Sequence, residues 1–288
     1  MVLEQLIVNG LIAGAIYALM ASGFSLVYNV LKFLHIAHGA VYVVGAFGGW
    51  WLARIVGLSL PLAIGGALVL SVVAGLLIDF IVYRPIRKRG EAALLMVSFG
   101  AFLFVQSLVL LFFGADVKSY GLPIERGLDI AGAVITPLQI WLIVISLVTM
   151  LALHAFLKFT KVGKAIRAVS DDEEVSRVVG ISPEKTIMFT FALSALLAGV
   201  AGVLVGMEQN IEHAMGLPAL ISALTASVIG GIGNVPAAVP GGFLLGIVEN
   251  VGIFWLPSGW KAGISFALLI IFLVFRPKGL FGGKIRTV

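Results

Sequence analysis

The sequence predicts an all-α polytopic membrane protein with about eight to nine hydrophobic membrane segments, some interrupted or re-entrant, and one short helix in a polar loop. Composition is the first reason. Of the 288 residues 60% are apolar and 11% charged, with a mean hydropathy of +1.13, whereas soluble domains carry about 25% charged residues. The second reason is that the charges bracket long uncharged runs, at 5–31, 33–53, 55–78, 92–115, 130–157, 186–207 and 213–248. About 20 apolar residues rising 1.5 Å each cross a hydrocarbon core of about 30 Å, so every run is long enough. A soluble enzyme is excluded, and residues 1–288 read as a single transmembrane domain.

The elements follow in order. Glu4 stands where a cleavable leader carries Lys or Arg, and no small-residue cleavage site follows, so 5–31 is expected to be a retained first span. The next run begins almost without a loop, through Phe33-Leu34-His35-Ile36-Ala37-His38-Gly39. The third run ends at Asp79, about one turn before Tyr83 and Arg84, where its carboxylate reaches water or a basic residue. Basic residues then cluster in three places: Arg84, Arg87, Lys88 and Arg89; Lys158, Lys161, Lys164, Arg167, Arg177 and Lys185; and Arg276, Lys278, Lys284 and Arg286. By the positive-inside rule these stretches, including the 158–185 loop and the 276–288 tail, are cytoplasmic. The 114–136 connection, with Asp116, Glu125 and Asp129 against Lys118 and Arg126, belongs outside together with Glu208–Glu212. Counting crossings backwards places 57–61 outside, 32–39 inside or within the membrane, and the N-terminus outside. The basic residues follow the membrane rather than forming one patch, so the expected partner is the lipid bilayer and not nucleic acid.

The run 213–248 cannot be one helix, because 36 residues would reach about 54 Å. The break falls at Gly230-Gly231-Ile232-Gly233-Asn234-Val235-Pro236, with Pro240, Gly241 and Gly242 beyond it. Transporters use interrupted segments where substrate passes, and His38–Gly39 marks a counterpart in the first half. The two breaks are either such interruptions, related by an internal repeat, or ordinary tight turns between helices. On the first reading His38, Gly39, Gly230, Gly231, Gly233, Asn234, Glu249 and Asn250 are the candidate passage residues. Small residues also recur at every fourth position: Gly10, Gly14, Ala18 and Ser22; Ser194, Ala198, Gly202 and Gly206; Gly242, Gly246 and Asn250. Such stripes let helix backbones approach closely in lipid.

The polar segment 158–185 contains a short helix with both ends marked. Ser170 and Glu173 form a capping-box pattern, Asp171 and Asp172 place acids at the helix N-terminus, and Gly180 supplies a stop. The helix is predicted to run from Asp171 to about Val179, with Val175, Val178 and Val179 on one side and nothing in the chain to cover them. Ser182-Pro183-Glu184 starts the next span with a cap, a proline at the first position and an acid.

Glu174-Val175-Ser176-Arg177-Val178-Val179-Gly180 resembles the Glu-Ala-Ala-x-x-x-Gly loop of ABC importer permeases, in which a coupling helix docks into a groove on the ATPase. Longer blocks are similar to LivH-type permeases of the branched-chain amino acid importer family: Gly10–Leu31, Ala37–Phe47, Tyr83-Arg84-Pro85, Gly163–Lys185, Ser227–Asn250 and Arg276–Gly282. The resemblance implies one of two permease subunits of an importer in the bacterial inner membrane. A second, LivM-type permease, two cytoplasmic ATPases that use ATP and Mg, and a periplasmic or extracellular solute-binding protein complete it. It further implies that Asp171, Asp172, Glu173, Glu174, Val175, Ser176, Arg177, Val178, Val179 and Gly180 form the ATPase coupling element. Two departures bear on the solute: His35 replaces a more usual asparagine, and Ala238 with Pro240 replaces a glycine and an aliphatic residue. Members of the family also serve urea, short amides and aromatic acids.

Other chemistry is sparse. There is no cysteine, hence no disulfide or thiolate, and no phosphate-binding Gly-x-x-x-x-Gly-Lys-Ser/Thr loop, so no cofactor is expected on this chain and ATP is expected to be hydrolysed elsewhere. His35 and His38 lack an acidic or third histidine neighbour for a metal. The competing classes are a secondary transporter, for which Asp79 and Glu249 are the intramembrane ionisable candidates, and a passive channel, which leaves the capped loop helix without a role. Glu249 is expected to face the interior, hydrogen-bonded through Asn250 or the broken backbone near Gly230.

Overall fold

The computed structural model describes residues 2–123, 126–130 and 132–281. Glu125, Gly282, Lys284 and Arg286, used above, lie outside the described residues. The chain forms α1 (Val2–Leu31), α2 (His38–Arg54) and α3 (Leu60–Leu77), which continues through a π-helical turn at Ile78–Tyr83 into α4 (Arg84–Ile86). There follow α5 (Glu91–Phe113), β1 (Leu128–Ile130), β2 (Ala133–Ile135), α6 (Pro137–Phe159), α7 (Lys161–Asp171) and α8 (Glu173–Val178). The last helices are α9 (Pro183–Glu208), α10 (Gly216–Gly230), α11 (Val235–Gly252) and α12 (Lys261–Phe275). Seven helical stretches among the described residues are long and apolar enough to cross a membrane. With α2 at 17 residues and α10 at 15, they account for the eight to nine segments expected.

The antiparallel β1–β2 hairpin was not expected, because its residues are apolar enough to extend the run before α6. What separates them is local: Thr136 and Gln139 close a capping box, and Pro137 takes the first helical position. Gln5 bonds the Val134 backbone through both ends of its amide, at 2.7 and 3.0 Å, holding the N-terminus to this hairpin. Lys118 and Ile211 exchange backbone hydrogen bonds of 2.9 and 2.8 Å, so the 114–136 and 208–212 connections share that end of the molecule. Lys32, Arg84–Arg89 and the 158–182 loop gather at the opposite end, where Leu280 and Phe281 donate to the Ile229 and Gly230 carbonyls. Topology and the basic clusters therefore agree on two ends.

Close backbone approach builds the centre. A Cβ on Gly10 would sit 2.7 Å from the Ile247 Cα, and one on Gly14 would sit 2.8 Å from that of Phe243; Gly242 and Gly246 press on Ala18, Gly10 and Gly14 from the other side. Two of the small-residue stripes thus face each other across α1 and α11. The third, on α9, meets α2, where Gly202 touches the Tyr42 carbonyl. In lipid, where apolar side chains gain nothing by leaving hydrocarbon, such contact is the main source of helix association. Peripheral α3, α5, α6 and α12 expose large apolar side chains such as Leu62, Phe112, Leu151 and Phe275.

The two breaks differ. After α1 the chain turns at Lys32, at φ +56°, and re-enters, so that α2 begins beside Met20 and Gly23, about three turns before the end of α1. The N-terminus of α10 lies against that of α2, since a Cβ on Gly39 would meet the Gly216 carbonyl at 2.6 Å. The 32–37 interruption therefore meets the segment entering α10, while Gly230–Asn234 is a tight turn at the basic end. Glycine-rich sequence marks both a turn and an interruption, which is why the pattern alone did not separate them.

A buried polar chain holds the first break. His35 Nδ1 lies 2.7 Å from the Tyr83 hydroxyl, which lies 2.7 Å from Ser98 Oγ, and Ser98 Oγ accepts the Ala37 N–H at 3.1 Å. Tyr83→Phe strands a buried imidazole nitrogen and is expected to cost about 1–3 kcal/mol. The thermal midpoint of the purified protein measures it; an unchanged midpoint would show that His35 has another partner.

Candidate functional site

The 158–182 loop holds two helices rather than one. Thr160 caps α7 by accepting the Gly163 N–H at 3.0 Å, and α7 buries Gly163, Ile166 and Val169 while turning its charges outward. Ser170 lies inside α7 and donates to the Arg167 carbonyl at 2.8 Å, so the expected cap at Ser170 is corrected. The cap is Asp172, whose carboxylate accepts the Val175 N–H at 2.9 Å and starts α8 two residues later than expected. A serine followed three residues on by glutamate marks a helix start only where no helix is already running. Asp172 is the one residue between the two helices.

At its other end α8 stops as expected. Gly180 has φ +85°, its N–H reaches the Arg177 carbonyl at 3.1 Å, and the Ile181 N–H reaches that of Ser176 at 3.0 Å, a Schellman motif. Ser182 caps α9 with Pro183 at its first position. Arg177 bonds both Glu173 and Glu184 at 3.0 Å, tying α8 to the start of α9. Ser176 is buried, whereas Val175, Val178 and Val179 are exposed, Val178 to 87%. Three valines on a polar loop thus face away from the rest of the chain.

Beside this loop a cavity of about 1200 Å³ opens at the basic end between α1, α6, α7 and the α10–α11 turn. Leu26, Met150 and Leu153 line its depth, and Asn29, Lys32, His154, Lys158, Arg167 and Asp171 its polar part. Desolvation draws the Lys32 ammonium pKa below its usual range, opposed by Asp171 across the cavity. Of the candidate passage residues, Gly233 and Asn234 line this space. His38 is buried elsewhere, between the Met20 carbonyl at 3.1 Å and Ser194 Oγ at 3.2 Å, and Gly39 packs on Gly216. Gly230 packs against the Ala237 carbonyl, and Gly231 ends α10.

Glu249 is buried, as expected, but with other partners: its Oε1 accepts from the Ser265 hydroxyl of α12, and Tyr17 of α1 faces it. Asn250 instead accepts from Lys261 Nζ at 2.9 Å and donates to the Gly246 carbonyl. These contacts join α11 to α12 and α1, and Glu249 and Asn250 find different partners because side chains one residue apart on a helix point about 100° apart. Glu249→Gln keeps an acceptor for Ser265 and is expected to leave abundance and transport within about twofold of wild type. Abolished transport at normal abundance would give Glu249 more than this structural role.

Apolar spans crossing around a glycine-packed centre, a cavity open at one end and a capped, outward-facing helix beside its mouth define a polytopic membrane permease. The chain belongs to the family described as "Branched-chain amino acid transport system / permease component", which matches residues 6–273. It is 35% identical to the high-affinity branched-chain amino acid transport system permease protein BraD of Pseudomonas aeruginosa, over 96% of this chain and 95% of that one. Against LivH of Escherichia coli K12 it is 33% identical over the same shares. The probable branched-chain amino acid permease LivH of Methanocaldococcus jannaschii is 28% identical over 97% of this chain and 93% of that protein. The fold alone is shared with a solved structure, PsaBC from Streptococcus pneumoniae in complex with Fab, at a TM-score of 0.55 and 13% identity, covering 94% of this chain and 91% of that one.

Proposed function

We propose that this chain is the transmembrane subunit of an ATP-driven importer that carries amino acids, branched-chain ones first, across the bacterial inner membrane. Its partners are a LivM-type second permease, two cytoplasmic ATPases and an external solute-binding protein. ATP and Mg belong to the ATPases, and the basic end of the molecule is cytoplasmic. The observation that carries the reading is the exposed valine face of α8, a helix capped at both ends whose Val175, Val178 and Val179 stay open to a partner.

Its geometry also supports a mechanism. Displacement of α8 by an ATPase reaches α9 through the Arg177–Glu184 bond and reaches α7 through the single residue Asp172. Arg167, Ser170 and Asp171 of α7 form part of the cavity wall, so the same displacement alters the cytoplasmic mouth. Residues 171–180 thus act as one lever.

The test is reconstitution in proteoliposomes with and without the ATPases and binding protein, scanning small solutes for stimulation of ATP hydrolysis. Stimulation by leucine, isoleucine or valine supports the reading, and stimulation by urea, amides or aromatic acids redirects the solute. Transport by the chain alone, down a gradient or coupled to an ion, would make it a channel or a secondary transporter.

A further inference from the structure

A second cavity, of about 550 Å³, lies between the end of α3 with its π-helical turn and the start of α9. Arg84, Arg87 and Lys185 line it with Asp79 and Glu184, and Leu77, Phe80 and Met188 make its apolar side. Both acids are already engaged. Asp79 accepts from Arg87 Nη2 at 2.6 Å, and Glu184 accepts from Arg177 at 3.0 Å. Among the described residues Arg84 and Lys185 enter no ion pair, and the Arg84 guanidinium lies over the Phe80 ring, 5.5 Å from its centroid. Arg87 Nε is buried and has no acceptor. Asp79, already bonded to Arg87, acts on Arg84 only through space, so two cations outside any ion pair and a buried donor without an acceptor describe a site with room for a further anion.

Below these cations Leu77, Phe80 and Met188 are exposed along helices that cross the membrane. An anionic oxygen group at the membrane edge joined to alkyl chains along α3 satisfies both halves of the cavity, and basic pockets between spans on the cytoplasmic side suit such headgroups. We infer that this cavity binds an anionic phospholipid of the cytoplasmic leaflet, its phosphate on Arg84, Lys185 and Arg87 Nε and an acyl chain against Leu77, Phe80 and Met188. The site adjoins Glu184, the residue that ties α8 to α9, so a bound lipid steadies the base of the loop. This inference does not depend on which solute is carried.

Native mass spectrometry of the purified full-length chain, titrated with phosphatidylglycerol or phosphatidylcholine, tests it. Wild type is expected to retain phosphatidylglycerol about tenfold or more over phosphatidylcholine, and Arg84→Gln with Lys185→Gln to lose that preference. The exposed pair Lys88→Gln with Arg89→Gln, outside the cavity, is expected to keep it. Thermal midpoints with phosphatidylglycerol, glycerol phosphate and inorganic phosphate separate the sources, and only the lipid should raise the midpoint. Equal retention of both lipids, or equal stabilisation by inorganic phosphate, overturns the inference. So does an unchanged lipid preference in the Arg84/Lys185 variant with lost ATPase co-purification, which would make the patch a protein-docking surface.

Discussion

Gly180→Val is expected to leave the permease inserted and folded while cutting ATPase co-purification and solute-stimulated hydrolysis by about 5- to 30-fold. That factor corresponds to about 1–2 kcal/mol, the cost of holding a residue with a Cβ in the left-handed conformation. Space is not the obstacle, because no atom lies within 4 Å of where a Cβ would stand; φ +85° is. A valine there must give up either the conformation or the two backbone bonds that end α8, and either change turns the exposed valine face away from its docking direction. Glu174→Lys should act in the same sense and more weakly, by placing a cation in the first turn of a six-residue helix whose N-terminus favours acids. Wild-type co-purification and hydrolysis in both variants would reduce α8 to a surface loop without a coupling role.

Gly246→Val should act on the fold itself. A Cβ there would overlap the Gly10 carbonyl and the Gly14 amide, main-chain atoms of α1 that cannot move aside as a side-chain tip can. Parting α1 from α11 also loosens the contact of Tyr17 with Glu249 about one turn further on. The expected cost is about 3 kcal/mol, at the upper end for overpacking a well-filled core. Fluorescence-detected size exclusion of detergent-solubilised protein should show a lower thermal midpoint and a smaller monodisperse peak than wild type. A valine variant as stable as the parent would mean that the two helices pack elsewhere.

Neighbouring residues were legible where chain-local physics governs them. Uncharged length located the spans, basic clusters located one end of the molecule, and Gly180 and Ser182-Pro183 marked the end of α8 and the start of α9, since capping and left-handed turns involve residues a few positions apart. Every fourth position carrying a small residue was enough to say that α1, α9 and α11 pack closely. Ser170 shows the limit of such rules: the same spacing that caps a helix also occurs inside one, and the buried face of Gly163, Ile166 and Val169 decided that α7 runs through it.

Partners separated widely in sequence were decided by tertiary structure alone. Which stripe faces which, the pairing of Glu249 with Ser265 rather than Asn250, and the His35–Tyr83–Ser98 chain all join segments whose spacing carries no period. The same holds for the two breaks, where glycine content marked Gly230–Asn234 but only the contact of Gly39 with Gly216 brought the 32–37 interruption against the segment entering α10. The cavity between α1, α6 and α7 has no sequence signature, because its walls are ordinary leucines and its polar residues come from four separate elements. Span length and the Gly180 and Ser182 caps are set by the membrane's thickness and by bonds between near neighbours, so the sequence by itself determined them; depth, partner and cavity depend on how helices distant in the chain cross, which only their packing decides.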